Sequence, residues 1–232
     1  MKKIAAIISV ILIISSISFA QDSESINLSE ENTSSIVPND LVKLVSFNSI
    51  LMEALHTKIE NDINEEALIE KNIKDIDTYK TFKINVNKDE KILRFYGDDK
   101  LVGKYKAAMG RSQKEGTKEV EGDYMTPEGT FYICEKHHSK NYKLFMGLSY
   151  PGIEDAKRGF EKGFITEKEY NQIVTANENK KTPLWNTKLG GTVGIHGGGK
   201  DVPYTRGCVM LDNDVIEFLW KYTPQGAEVV IE

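Results

Sequence analysis

Residues 194–210 read GIHGGGKDVPYTRGCVM, the densest run of chemically unusual residues in the chain. Gly194-Ile195-His196 sits at the end of an expected strand, Gly190 to Ile195, and the glycines after it let the backbone turn back tightly. His196 and Cys208 are twelve positions apart, so such a return brings an imidazole beside a thiol. A neutral imidazole takes a thiol proton, and the imidazolium so formed stabilises the thiolate. Gly207, just before Cys208, permits a sharp turn, so that amide N–H groups near the sulfur face a developing oxyanion. Arg206 adds positive charge, which favours a thiolate and suits a carboxylate. On spacing alone, Cys208 also reads as a small buried apolar residue and His196 as a satisfied core histidine.

Upstream, a two-residue period marks strands. Phe82, Ile84 and Val86 alternate with polar residues, and Ile92, Arg94 and Tyr96 alternate with Leu93 and Phe95. Gly97-Asp98-Asp99 reads as a turn into a third strand, Leu101 to Met109, with further strands expected at Gly129–Cys134 and Tyr142–Leu148. Glu154 to Lys181 reads as a helical insertion broken at Gly159 and Gly163. A helix from about Asp214 to Tyr222, capped by Asp212 or Asn213, precedes a last strand, Ala227–Ile231. The fold class expected is α+β, mainly β.

The N-terminal part differs in kind. Lys2 and Lys3 precede an apolar run from Ile4 to Ile17, and Ser18-Phe19-Ala20 supplies small residues for cleavage, so 1–20 reads as an export signal. The run is shorter than the ~20 residues that span a bilayer, and no membrane insertion is expected after cleavage. Ser, Asn and Glu dominate 21–38, a flexible linker. Leu41, Leu44, Val45, Leu51, Met52 and Leu55 recur at helical spacing, a second helical stretch starts near Glu65, and 39–80 forms a helical extension.

Composition sets outer limits. The 232 residues suffice for a catalytic domain with an extension. Their net charge of −5 argues against a protein whose task is neutralising nucleic-acid phosphates. Two cysteines, Cys134 and Cys208, cannot build a disulfide framework or a four-thiolate zinc site. They leave two rivals to a thiol enzyme. One is a Cys134–Cys208 disulfide in an exported, non-catalytic wall-binding module. The other is a metal held by His137, His138 and His196, although adjacent strand residues face opposite ways.

HGGGKDVPYTRGC at 196–208 resembles the signature of the L,D-transpeptidase family (the YkuD domain), a His-Gly followed by Ser/Thr-x-Gly-Cys. KYKAAMGR, ending at Arg111, and GDYMTPEGTF at 122–131 resemble two more of its motifs in the right order, as do GLSYPGIEDAKRGFEKGFIT from Gly147 and TPLWNTKLGGTVGIHG from Thr182. The resemblance covers 81–232 and implies a YkuD-like β-sandwich catalytic domain carrying the helical insertion. It implies an exported enzyme that acts through an acyl-enzyme on peptidoglycan stem peptides, with no metal or organic cofactor. Cys208 would be the nucleophile, His196 the base and then acid, and the Gly197 carbonyl the group that orients the imidazole. Backbone N–H groups of Gly207 and Cys208 would form the oxyanion hole, and Tyr204, Thr205, Arg206 and Trp185 would line the substrate cleft.

Two departures bear on the acceptor. Only eight residues separate His196 from Thr205, and Met210 stands two after the cysteine where cross-linking members carry Arg or Asn. An apolar residue there resembles a branch with hydrolases that release wall-attached proteins. The acceptor, an amine that gives a cross-link or attaches a protein, or water, is left open.

Overall fold

The computed structural model describes residues 39–112, 116–199 and 203–232. The expected signal and linker, 1–38, lie outside the described residues. The chain divides into two units, Met1–His56 and Thr57–Glu232, with the boundary inside one long helix, α1 (Asn39–Asn72). No second helix begins at Glu65: neither glycine nor proline interrupts this stretch, so α1 runs on into a 3₁₀ turn, Ile73–Thr78. Within the second unit, Glu65 pairs with Arg94 (3.2 Å) and with Lys104, and Asp62 pairs with Lys104 (3.1 Å).

Eight strands follow: β1 (Phe82–Asn87), β2 (Ile92–Gly97), β3 (Lys100–Lys106), β4 (Gly129–Ser139), β5 (Lys143–Leu148), β6 (Gly194–His196), β7 (Val209–Met210) and β8 (Glu228–Ile231). Asp98 and Asp99 both take positive φ (45° and 61°), the pairing a tight hairpin turn requires. The Asp98 carboxylate anchors that turn by accepting from the N–H groups of Lys80 and Thr81 and from the Thr81 hydroxyl.

The ladder order is β3-β2-β1-β8-β4-β5-β6-β7. The two halves share β4. Its first residues, Gly129–Tyr132, pair with β8, and Ile133–Ser139 pair with β5, with a register shift at Cys134. β4 therefore runs five residues beyond the expected end at Cys134, because His137 and His138 keep a partner in β5. The ladder then curls on itself: beyond β3, Ala108 bridges Met210 and Gly110 bridges Thr205. Hence the expected third strand stops at Lys106, and the residues to Gly110 serve as a clasp across the site.

Ile84, Val86, Leu93, Phe95, Val102, Ile133, Met146, Leu148, Ile195, Val209 and Val229 have no exposed surface, and each such side chain contributes about 1.5–3 kcal/mol by leaving water. Helix α2 (Ile153–Glu161) and helix α3 (Glu167–Glu178) form the insertion, and α4 (Asn213–Tyr222) adds Ile216 and Leu219 to the sheet's core. Gly163, at φ 68°, lies between α2 and α3, whereas Gly159 breaks nothing. It sits within α2, where a Cβ would come to 2.5 Å from Leu189, so its smallness serves packing. Thr166 and Glu169 cap α3 reciprocally.

Candidate active site

β6 ends at His196, which lies between Phe145 of β5 and Met210 of β7 and is 4% exposed. The Tyr142 ring leans on the imidazole at 4.2 Å between centroids. Nδ1 lies 2.7 Å from the Gly197 carbonyl oxygen. A carbonyl only accepts, so Nδ1 carries the proton and Nε2 presents a lone pair. Burial lowers the His196 pKa and the Gly197 hydrogen bond works the other way, so the imidazole is neutral in neutral solution. Gly197 must be glycine: a Cβ there would meet Asn213 Oδ1 at 2.6 Å and the Tyr142 carbonyl at 2.8 Å.

Cys208 stands immediately before β7, half-buried, with Sγ 3.7 Å from the Thr192 carbonyl. Burial pushes its thiol up, opposed by a backbone hydrogen bond at Gly194 and by the Lys118 ammonium. The resting pair is thus thiol and neutral imidazole. Both residues line one cavity of about 850 Å³, with Tyr204, Thr205, Arg206 and Met210 on its walls.

Thr205 holds the loop that carries Cys208. Its N–H donates to the Met109 carbonyl (2.7 Å), its hydroxyl donates to the Cys208 carbonyl (2.6 Å), and the same oxygen accepts from the Gly207 N–H (3.0 Å). The expected pair of oxyanion donors is therefore unequal. Gly207's N–H is taken up by the Thr205 hydroxyl, while among the described residues the Cys208 N–H makes no hydrogen bond. Gly207 itself sits at φ 132°, a conformation open to glycine, with the Met125 carbonyl 2.7 Å from where a Cβ would stand.

Trp185, expected in the substrate cleft, does not line the cavity that holds Cys208 and His196. Gly147 and Gly191 leave room for it: Cβ atoms there would come to 3.0 Å from the indole and 2.4 Å from Trp185 Cα. It faces a separate groove of about 1110 Å³ along α3, with Thr175, Asn179 and Thr182. Sequence reasoning missed Arg111, Tyr142, Phe145 and Thr192 and weighed His137 only as a metal ligand, yet all five lie on the wall of the cavity that holds Cys208 and His196. Arg111 had a visible signal as the end of the KYKAAMGR stretch; His137 and Phe145 arrive through the pairing of β4, β5 and β6.

Among the described residues, neither rival site is assembled. Cys134 and Cys208 are both free thiols, and Cys134 is buried against the Gly147 carbonyl with its pKa pushed up to about 11 by burial. His137 stacks on Phe145 while His138 leans on Trp220, so the neighbours diverge as a strand requires. Among the described residues, no group of three or more His, Cys, Asp or Glu side chains is placed to hold a metal ion. No described helix is long and apolar enough to cross a membrane.

Comparison with solved structures finds similar chains. The helical cell shape determining protein Pgp2 of Campylobacter jejuni is 26% identical with a TM-score of 0.46, over 66% of this chain and 49% of that one. Bd1075 of Bdellovibrio bacteriovorus is 20% identical (TM-score 0.45, 67% and 49%). An L,D-transpeptidase of Xylanimonas cellulosilytica is 17% identical (TM-score 0.41, 66% and 61%). The chain thus spans between half and three-fifths of these structures' length. No curated protein matches it. Residues 81–231 match the model of the L,D-transpeptidase catalytic domain, YkuD. That stretch holds all eight described strands, the loop that carries Cys208 and the His196–Gly197 pair, and the chain belongs to the L,D-transpeptidase (YkuD) family.

Proposed function

We propose that the protein is an exported cysteine enzyme that acts on peptidoglycan stem peptides through an acyl-enzyme. One observation carries this reading: a thiol and a buried imidazole with its Nδ1 fixed by Gly197 share the wall of one cavity. The Cys208 proton passes to His196 Nε2 as Sγ attacks the carbonyl of the diamino acid's L-centre, next to the terminal D-alanine. The Cys208 N–H stands beside the sulfur to meet the oxyanion; a second donor from Gly207 requires Thr205 to release it. The imidazolium then protonates the leaving amine, D-alanine departs, and a thioester remains. An amine or water resolves the thioester and returns the thiol.

Met210 supports the hydrolytic variant of this reading. Its side chain lines the cavity, where a polar residue would be suited to holding an amine acceptor. On this reading the product is a trimmed stem or a released wall-attached protein. Incubating the purified protein with tetrapeptide-bearing muropeptides, followed by mass analysis, tests both levels. Loss of one D-alanine, abolished in Cys208→Ala, is expected; processing by the Ala variant would overturn the mechanism.

A further inference from the structure

The helical insertion carries a concave surface of its own, the groove of about 1110 Å³ that Trp185 faces. One wall is α3 and the other is the extended segment 181–185. Asn171, Gln172, Thr175 and Asn179 recur at three- and four-residue intervals, so one helix face turns four neutral polar side chains toward the groove. The opposite wall supplies Thr182, Pro183, Leu184 and Trp185.

These polar groups are available. Among the described residues, the carboxamides of Asn171 and Gln172 and the Thr175 hydroxyl make no hydrogen bond. Asn179 uses only its Nδ2, on the Thr175 carbonyl (2.7 Å), and keeps an acceptor. Asn177, on the other face of the helix, differs: its Nδ2 donates to the Pro151 and Ile173 carbonyls, both at 3.0 Å. The groove is also held in shape. The Lys181 N–H donates to the Ala176 carbonyl (2.8 Å) and the Tyr132 hydroxyl donates to the Lys181 carbonyl (2.7 Å), which pins the second wall to the first. Little ordering is left for a ligand to impose.

The lining selects the ligand. The charged residues, Glu167, Lys168 and Lys181, stand at the two ends of the helical wall, and carboxamides and hydroxyls fill the length between them. An anion would need cations at the centre, and an apolar chain would need both walls apolar. Neutral donors and acceptors opposite an indole fit a sugar, whose hydroxyl and acetamido groups hydrogen-bond while its C–H surface packs on the aromatic. The position of the groove agrees. Trp185 backs onto Gly191, where a Cβ would stand 2.4 Å from Trp185 Cα, and Gly191 lines a cavity of about 270 Å³ with Cys208. One thickness of chain thus separates the groove from the surroundings of Cys208. A stem peptide hangs from an amino sugar, and the carbonyl that Cys208 attacks is three residues along it, a tether of about 10 Å.

We propose that this groove binds the N-acetylated glycan strand that carries the stem peptide, with Asn171, Gln172 and Thr175 meeting its hydroxyl and acetamido groups. The identity of the ligand rests on the function proposed above, and the groove adds a site for the substrate's sugar outside the cavity of Cys208 and His196.

The probe is a soluble glycan of alternating N-acetylglucosamine and N-acetylmuramic acid, stripped of stem peptides and titrated into the whole protein. The chain has two tryptophans, so ¹H–¹⁵N spectra report each indole separately. The Trp185 signal is expected to shift, while that of Trp220, packed against His138, stays. Asn171 and Gln172 are exposed, so replacing both by Ala leaves the core intact. The double variant is expected to weaken glycan binding roughly 5- to 150-fold, as for two lost neutral hydrogen bonds. It should also raise KM for a glycan-linked tetrapeptide by a similar factor, and not KM for the free tetrapeptide. No binding by wild type, binding that the double variant leaves unchanged, or a shift at Trp220 alone would overturn the groove. Displacement of the glycan by free stem peptide would overturn it as well, making it a peptide site. A wild-type protein that binds the glycan but turns over neither tetrapeptide would overturn the function proposed above and leave the groove a sugar site.

Discussion

Gly207→Ala is the most informative single change, because two separable penalties meet at that residue. The first is conformational: φ is 132°, and a residue with a Cβ held there costs about 1–3 kcal/mol. The second is steric. The new methyl would lie 2.7 Å from the Met125 carbonyl oxygen, a main-chain atom that no rotamer change removes. Forcing a group into filled space adds about 1–3 kcal/mol. Together they predict a loss of about 2–6 kcal/mol, or a Tm fall of roughly 4–24 °C for a unit of this size. Gly163→Ala is the control. It shares a positive φ (68°) but a Cβ there meets nothing within 4 Å, so it should cost only about 1 kcal/mol. Differential scanning calorimetry of both variants measures the difference. The Gly207 variant should also lose about 10²–10³-fold in turnover, as when an oxyanion donor is displaced. Equal melting temperatures for the two variants would refute the steric reasoning. Full activity in a destabilised Gly207→Ala would show that the glycine supports the fold and not the oxyanion.

Further outcomes follow from neighbouring features. Alkylation of Cys208 by iodoacetamide should accelerate with pH through an apparent pKa above the ordinary thiol value, because burial disfavours the thiolate; a value below it would indicate a resting ion pair. Long-range ¹H–¹⁵N spectra should show His196 as the Nδ1–H tautomer, charging only below the usual histidine range; an Nε2–H signal would contradict the Gly197 hydrogen bond. Asp123 has its folded-state pKa depressed, so its contribution to stability is present above the unfolded carboxyl's pKa and is lost as pH falls through the folded one. Urea melts of Asp123→Asn should therefore show a weaker acid dependence than wild type, and parallel curves would count against the pairing. Ile195→Ala, at a side chain with no exposed surface, should cost about 2–5 kcal/mol in urea.

Much of this molecule could be read from its residues because short-range physics decides them. The alternation of Ile84, Val86, Leu93 and Phe95 places each on the buried face, and the Asp98-Asp99 turn matches its left-handed backbone. His196 and Cys208 were legible because glycine-rich sequence joins a strand end to a second turn. What escaped was long-range. β7 has two residues, too few for any periodicity, and exists because Ile195 and His196 on one side and Ala108 on the other offer partners. Trp185 resembled a cleft aromatic, but the space left by Gly147 and Gly191 takes it to another groove. Lys118 is buried, and nothing in the sequence beside it told it apart from a solvated charge. Thr205 was expected to touch substrate, yet its hydroxyl is engaged with the Cys208 carbonyl and the Gly207 amide.

The clasp of Ala108 onto Met210 and Gly110 onto Thr205 has a kinetic consequence. These pairings join segments far apart in sequence, and contacts of that kind form late, after the loop between them has closed. Until they form, Thr205 lacks the Met109 carbonyl that seats it, and Cys208 has neither its loop geometry nor its base. On the proposed mechanism a partly folded chain therefore carries a thiol without its base, and turnover of substrate arises only as the fold completes. Turnover becomes a readout of finished folding: its recovery should track the slowest refolding phase and not the earlier formation of the β1–β2–β3 meander.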